Sequence, residues 1–249
     1  MMKARLFYMP GSHAALTGRM MFDYKGFDYK RTDLLPAASW PVLKACRFPE
    51  LTVPAAIIDG ERIQGSKKLA RELERRQPEP PLFPEDPKAR EAVEEAETFG
   101  DEILQQRVRE IFLWAVGKDR SGLAGYLEGG KIGMPHKVAQ LIAGPFIALD
   151  GRARGANDEN VRAALKEFPG LLQQIDDWIE AGVIGGPELN AADLQIAPSI
   201  CLAMTFDDLR PFIEGRPAGQ HARQVVPQYP GRTPPVLPDE WLEPLRQAA

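Results

Sequence analysis

Two hydroxyl-bearing side chains near the N-terminus, Tyr8 and Ser12, are the first candidates for chemistry. Pro10 and Gly11 end an apolar run, and Ser12 follows where a strand turns into a helix. A hydroxyl there points toward free helix N–H groups, which favours a developing oxyanion or a nearby thiolate. The Tyr8 phenol is a second possible donor to a thiolate. The alternative roles are an N-cap serine and a half-buried strand tyrosine. His13 could act as a base, but a histidine in the first turn of a helix is more often simply exposed.

A second group of candidates lies between residues 53 and 66. Proline cannot donate to a sheet ladder, so Pro54 belongs at the start or edge of a strand. A cis bond before Pro54 would let Val53 offer its backbone N–H and C=O to a ligand, whereas a trans proline would only start the strand. Ser66 begins a helix, where its hydroxyl and the free N–H groups form either an anion site or an ordinary helix cap.

The first part of the chain alternates between strand and helix patterns. Apolar runs and turn signals predict the order β-α-β-α-β-β-α. The strands are expected at 4–9, 27–33, 53–58 and 61–64, and the helices at 13–25, 40–46 and 66–76. We expect Pro41 in the first turn of the second helix, where proline is tolerated. These elements form an α/β domain at residues 1–77.

The rest of the chain has a helical pattern. Residues 78–86 contain four prolines and predict a linker, so residues 87–249 form a second, all-α domain. Apolar residues at helical spacing predict helices at 88–116, 135–149, 158–180 and 191–204. Asn190 and Asp193 form a capping-box pattern before the last of these. From residue 210, recurring prolines predict an extended tail.

Composition and charge exclude several classes of protein. Residues 1–77 hold 14 basic and 8 acidic side chains, while residues 78–249 hold 17 basic and 27 acidic. No apolar run is long enough for a membrane span or a signal peptide, which predicts a cytoplasmic protein with no membrane partner. Two cysteines exclude a disulfide framework, and three scattered histidines disfavour a metal site. No basic run is interleaved with aromatic residues, which disfavours nucleic-acid binding.

Four stretches in order resemble the glutathione transferase family. They are residues 6–12 (LFYMPGS), residues 52–55 (TVPA) after Pro49, residues 59–66 (DGERIQGS), and residues 175–198 with their capping box. The resemblance implies a thioredoxin-like N-terminal domain, an all-helical bundle as the C-terminal domain, and a homodimer. It also implies a cis Pro54.

The resemblance also suggests roles for the candidate residues. Ser12 matches the serine-type turn, and Tyr8 resembles the tyrosine of the first strand in several classes. Val53, Pro54, Gln64, Gly65 and Ser66 correspond to the segments that hold glutathione in the family. Two positions depart from its pattern, because Gly65 stands where Glu or Gln usually precedes the serine, and Thr52 stands where many members carry Lys or Arg.

Three functions follow as hypotheses. The first is an enzyme that activates glutathione or a related thiol, as a co-substrate and with no permanently bound cofactor, for attack on an apolar electrophile near Phe112 and Trp114. The second is a non-catalytic binding or regulatory protein on the same fold, since fold does not imply function. The third and weaker one is a thiol-dependent isomerase or dehalogenase.

Overall fold

The computed structural model describes residues 3–248, and its first part is built on a four-stranded sheet. The strands are β1 (Ala4–Tyr8), β2 (Tyr29–Asp33), β3 (Ala55–Ile58) and β4 (Glu61–Gln64). Their order in the sheet is β2-β1-β3-β4, with β1 and β2 parallel and the other pairs antiparallel. The parallel pair requires a crossover between β1 and β2, and a helix supplies it.

Three helices accompany this sheet: α1 (His13–Tyr24), α2 (Pro36–Ala45) and α3 (Ser66–Arg76). The predicted β-α-β-α-β-β-α order is confirmed. Local capping explains where α1 begins, because the Ser12 hydroxyl accepts a hydrogen bond from the backbone N–H of Ala15. Gly26 follows the helix with a φ of 66°, a left-handed conformation that glycine adopts at little cost.

The remainder of the described chain is helical. It comprises α4 (Pro87–Phe99), a π-helical turn (Gly100–Leu104), α5 (Gln105–Lys118), a 3₁₀ turn (Leu123–Leu127), α6 (His136–Ala153), α7 (Asp158–Glu180), α8 (Ala191–Met204), α9 (Arg210–Ile213), α10 (Pro217–Val225), a 3₁₀ turn (Asp239–Trp241) and α11 (Glu243–Gln247). In residues 3–248, no helix combines the length and the apolar character that a bilayer crossing requires.

Helix α8 lies at the centre of the molecule, with all of its residues buried. The predicted capping box is confirmed: the Asn190 side chain accepts from the N–H groups of Ala192 and Asp193, and the Asp193 carboxylate accepts from the Asn190 N–H. Helix α8 packs against α1 of the first part and α10 of the second. Helix α8 therefore joins the cores of the two halves of the molecule.

Several predicted elements were wrong in extent: strands β2 and β3 each begin two residues later than predicted, and α6 ends four residues later. Helix α2 begins at Pro36, so Pro41 lies inside it and not in its first turn, because Pro36 already has the backbone angle that starts a helix. The helix expected at 88–116 is interrupted by the π-helical turn. There, Gly100 packs so closely on α8 that a Cβ atom would lie 2.9 Å from Cγ of Gln195.

The tail from residue 210 is not extended throughout. It contains α9, α10 and α11, each with a proline at its first or second position. Proline is tolerated there because the first N–H groups of a helix have no partner within the helix. Three prolines of this tail, Pro211, Pro217 and Pro244, therefore start short helices, while residues 226–237 contain no helix.

The segment between α3 and α4 is held by a buried lysine. The Lys25 ammonium has no solvent exposure and donates to the Glu74 carboxylate. It also donates to the Pro78 carbonyl at 2.9 Å and to the Pro80 carbonyl. The Glu74 carboxylate in turn accepts the Leu82 N–H. These bonds fix the path of the chain between the two halves.

Candidate functional site

A cavity of about 350 Å³ lies between the two halves of the molecule. One wall is formed by the turn at residues 9–14, the segment at residues 50–54, and Gly65 with Ser66. The opposite wall is formed by α5, α6 and the 3₁₀ turn Leu123–Leu127. A cleft with a polar wall and an apolar wall suits a polar co-substrate beside an apolar one.

Ser12 lines this cavity with its hydroxyl at the N-terminus of α1. The oxygen accepts a hydrogen bond from the Ala15 N–H at 3.2 Å. Within residues 3–248 the hydroxyl donates to no acceptor, so its proton is available to a ligand. The residue can therefore serve as a helix cap and, at the same time, as a donor to a thiolate.

Tyr8 is not among the residues that line the cavity. Its buried ring is flanked by Arg19 and Arg31, whose guanidinium carbons lie 5.7 Å and 5.0 Å from the ring centroid. Burial raises the pKa of its phenol. The structure thus does not bring Tyr8 together with Ser12 at the cavity.

The segment at residues 50–54 presents backbone groups to the cavity. Thr52, Val53 and Pro54 all line it, and the Val53–Pro54 peptide bond is cis. In the described part of the chain, neither the N–H nor the C=O of Val53 forms a backbone hydrogen bond. These two groups remain available to an extended ligand such as a peptide.

Gln64 lies outside the cavity and holds this segment from behind. Its Oε1 accepts the Glu50 N–H at 2.9 Å, and its Nε2 donates to the carbonyls of Glu50 at 2.8 Å and Thr52 at 2.7 Å. Both amide protons are therefore occupied. Gly65 does line the cavity, with a φ of 89° and open space where a Cβ atom would stand.

Ser66 lines the cavity at the start of α3, but its hydroxyl is not free. It donates to Oδ1 of Asp101 at 3.0 Å. The same oxygen accepts from Nε2 of Gln105 and of Gln195, each at 3.3 Å. Asp101 was not predicted as a site residue; it reaches Ser66 because the π-helical turn carries it against α3 and α8. A carboxylate therefore stands beside the helix N-terminus where the sequence suggested an anion site.

His13 differs from its expected exposure, since only 3% of its surface is accessible. Its Nδ1 lies 3.0 Å from the Ser199 hydroxyl on α8, and its Nε2 has no hydrogen-bond partner among the described residues. Burial, reinforced by the positive charge of Arg109, holds the pKa of His13 well below its usual range. His13 lines the cavity as a neutral ring.

The opposite wall is mainly apolar. It contains Phe112, Leu113, Phe146 and Ile147, so Phe112 lies where an electrophile was expected. Trp114 does not line the cavity; its indole N–H donates to Asp158 at 2.8 Å. Residues two apart on a helix do not share a face, which explains why Phe112 and Trp114 separate.

The C-terminal tail contacts the turn that carries Ser12. The Tyr229 hydroxyl donates to the Gly11 carbonyl at 2.9 Å. Tyr126 packs between this turn and the tail, and its hydroxyl lies 2.7 Å from that of Thr233. A Cβ atom on Gly231 would lie 2.4 Å from the Tyr126 ring, so only glycine fits there.

In the part of the chain that the structure describes, no cluster of His, Cys, Asp and Glu is arranged to hold a metal.

Comparison with known proteins agrees with this architecture. Residues 6–81 match the family model described as glutathione S-transferase, N-terminal domain. The N-terminal part of the chain is therefore similar to this domain of the glutathione S-transferases. That domain is thioredoxin-like, and the mostly helical remainder is consistent with the C-terminal domain of the same family. A sequence search of curated proteins finds no match.

Solved structures show the same fold over nearly the whole chain. A glutathione S-transferase from Rhodospirillum rubrum is 20% identical, with a TM-score of 0.57, and the match covers 97% of this chain and 99% of that one. A maleylacetoacetate isomerase from Anaeromyxobacter dehalogenans, solved with glutathione bound in its active site, is 18% identical, with a TM-score of 0.56 and coverage of 99% and 94%. A beta-etherase from Sphingobium is 17% identical, with a TM-score of 0.56 and coverage of 89% and 98%.

Proposed function

We propose that this protein is a glutathione S-transferase-like enzyme that activates a small thiol for attack on an apolar electrophile. The observation that carries the proposal is the Ser12 hydroxyl, which faces the cavity from a helix N-terminus with its proton unused. A hydrogen bond from this hydroxyl, together with the positive end of the α1 dipole, stabilises a thiolate and lowers the pKa of the thiol.

The polar wall suits a thiol that carries an amino-acid head group. The N–H groups at the start of α3 attract a carboxylate, while Asp101 beside them attracts an ammonium group. Glutathione has both groups on its γ-glutamyl end and has peptide bonds that can pair with Val53. The absence of a side chain at Gly65 leaves room for this head group.

In the reaction, the thiol proton is released to solvent and the thiolate remains hydrogen-bonded to Ser12. The sulfur lone pair then forms a bond to the electrophilic carbon, and the leaving group departs with the electrons of the broken bond. The apolar wall around Phe112 and Leu113 binds the electrophile and excludes water from the sulfur.

Replacing Ser12 with alanine tests the proposal. In Ser12→Ala, we expect kcat/KM for glutathione and chlorodinitrobenzene to fall by about 100-fold, the size of effect typical for loss of one oxyanion donor. The pKa in the pH–rate profile should rise, because the thiolate loses its hydrogen bond. Since the variant also loses a helix cap, Asn157→Ala, which removes the cap of α7 and is not among the residues that line the cavity, is the matched control. Equal rates in Ser12→Ala and the wild type would overturn the role of Ser12.

The non-catalytic alternative also has a structural basis. The Ser66 hydroxyl is already bonded to Asp101, and the tail is bonded to the turn beside Ser12. Calorimetric titration with glutathione separates the two functions: heat of binding together with turnover supports the enzyme, whereas no heat supports a binding protein for another ligand. The isomerase or dehalogenase alternative uses the same thiolate on a different electrophile.

The homodimer, the cytoplasmic location and the domain limits at residues 77 and 87 remain predictions.

A further inference from the structure

The wall of the cavity formed by α5 and α6 contains two arginines, Arg109 and Arg154, that the proposed thiol chemistry does not use, and Arg154 is paired with Asp150. Arg109 lies on α5 and lines the cavity. Among residues 3–248 it forms no hydrogen bond or ion pair, whereas Arg107 on the same helix is bonded to both Glu110 and Glu167. An arginine that is left unpaired inside a cleft has its full hydrogen-bonding capacity available to a ligand.

The carboxylates around Arg109 have other partners, and none of them forms a direct ion pair with it among the described residues. Asp150, which also lines the cavity, is paired with Arg154 at 2.8 Å. Asp101 already accepts three side-chain hydrogen bonds, and Glu110 is paired with Arg107. Burial and the repulsion of Arg154 outweigh the attraction of Asp150, Asp101 and Glu110 and lower the pKa of Arg109 to about 10, so the guanidinium stays charged near neutral pH. An unpaired charge in a half-buried site is costly, and an anion would relieve that cost.

Two neighbouring features define the chemistry of the anion. Phe112 and Leu113 follow Arg109 by three and four residues on α5, so the guanidinium shares a face with apolar side chains. His13, whose buried Nε2 has no partner, lies close enough for Arg109 to affect its pKa. A planar carboxylate attached to an apolar body fits this combination, because guanidinium binds carboxylates through two parallel hydrogen bonds.

We infer that Arg109 forms an anion subsite in the electrophile half of the cavity, which selects an apolar electrophile that carries a carboxylate. This inference rests on the proposed function for its assignment to the electrophile. Arg109 is a specificity-determining residue in this scheme, while Ser12 and the thiol carry out the bond-forming step. The substrate therefore binds in one orientation, with its reactive carbon toward Ser12 and its carboxylate toward Arg109 on α5.

Two electrophiles that differ by one carboxylate group test the inference, each rate being divided by that of the uncatalysed reaction with the same thiol. Chlorodinitrobenzene is neutral, and chlorodinitrobenzoate carries a carboxylate on the same ring; both lose chloride when the thiolate attacks. We expect the wild type to favour the carboxylate in kcat/KM, and Arg109→Leu to reduce that preference by about 10- to 100-fold, the effect of one hydrogen bond to a charged group. Arg109→Lys should retain part of the preference because it keeps the charge. Arg152→Leu, which removes an exposed arginine outside the cavity lining, is the matched control.

Three outcomes would overturn the inference: a wild type with no preference for the carboxylate, a preference that survives in Arg109→Leu, or a loss that appears only in the KM for glutathione. The last would place a carboxylate of the thiol on Arg109. Binding of anilinonaphthalene sulfonate and of neutral phenylnaphthylamine needs no thiol and no turnover. If the anionic probe binds in an Arg109-dependent manner while no electrophile reacts, the anion subsite stands and the proposed function fails.

Discussion

At the scale of single residues, His13 shows how a buried neutral group makes the stability of the fold depend on pH. Its ring is enclosed, contacts Ser199 and faces the positive charge of Arg109. Its pKa in the folded protein is well below the value of 6.5 that it takes when unfolded. In mildly acidic solution, His13 is therefore protonated in the unfolded chain and neutral in the folded protein.

We predict that the free energy of unfolding falls as pH is lowered below about 6.5, because protonation of His13 favours the unfolded state. The stabilisation is fully present above that pH and is lost as pH falls toward the folded pKa, by at most about 1.4 kcal/mol per pH unit. Urea unfolding of the wild type and His13→Gln across this range measures the difference. The variant should show the shallower slope, and parallel slopes would contradict the assignment.

Gln64 holds a binding segment without lining the cavity. In Gln64→Leu, backbone groups of Glu50 and Thr52 lose their partners, which we expect to cost about 1–3 kcal/mol. The KM for glutathione should rise while kcat changes little, since Ser12 is untouched. Amide hydrogen exchange of residues 50–54 provides a readout that does not need activity. Gln106→Leu, which removes an exposed amide on α5, is the control, and equal exchange in both variants would refute the role of Gln64.

The range of each interaction explains what the sequence could predict at this scale. The Ser12 cap and the capping box of Asn190 and Asp193 depend on groups within three residues, and both were predicted. The burial of His13 depends on Ser199, 186 residues away, and the partner of Ser66 is 35 residues away. No local pattern contains such contacts, so Asp101 and Arg109 could be found only once the chain was folded.

At the scale of elements, the connection between α3 and α4 depends on the buried ammonium of Lys25. We predict that Lys25→Met lowers stability by about 3 kcal/mol, because it leaves Glu74 and the carbonyls of Pro78 and Pro80 without their donor. Thermal unfolding measures the loss. The same substitution at exposed Lys30 is the control and should leave Tm nearly unchanged. Similar values for the two variants would show that Lys25 does not anchor this connection.

Element boundaries were predictable where capping residues mark them. The helix at residues 158–180 was predicted with the observed limits, and Asn157 supplies its cap. The π-helical turn was not predicted, since its cause is the close packing of Gly100 on Gln195. Helix α2 and the helices of the tail show that proline marks a helix start as readily as a break when it falls in the first turn.

At the scale of the whole molecule, the turn that carries Ser12 and the C-terminal tail meet at Gly11 and Tyr229. We predict that Tyr229→Phe costs about 1 kcal/mol, as for one lost hydrogen bond, and speeds amide exchange in residues 226–233 and 9–12 together. Hydrogen-exchange mass spectrometry measures both segments in one experiment. Tyr24→Phe is the control, because its hydroxyl makes a longer bond of 3.5 Å to the Pro81 carbonyl. Faster exchange in the tail alone would show that the two segments move independently.

Helix α8 has a consequence for the dimensions of a substrate. Gln195 donates to Asp101, which borders the proposed site of the thiol head group, and Ser199 lies 3.0 Å from His13, which is close to Arg109. These contacts are four residues apart on one rigid helix, a rise of about 6 Å. A ligand that occupies both the proposed thiol site and the proposed anion subsite must therefore extend along α8, and we expect a shorter or longer ligand to lose one of the two contacts.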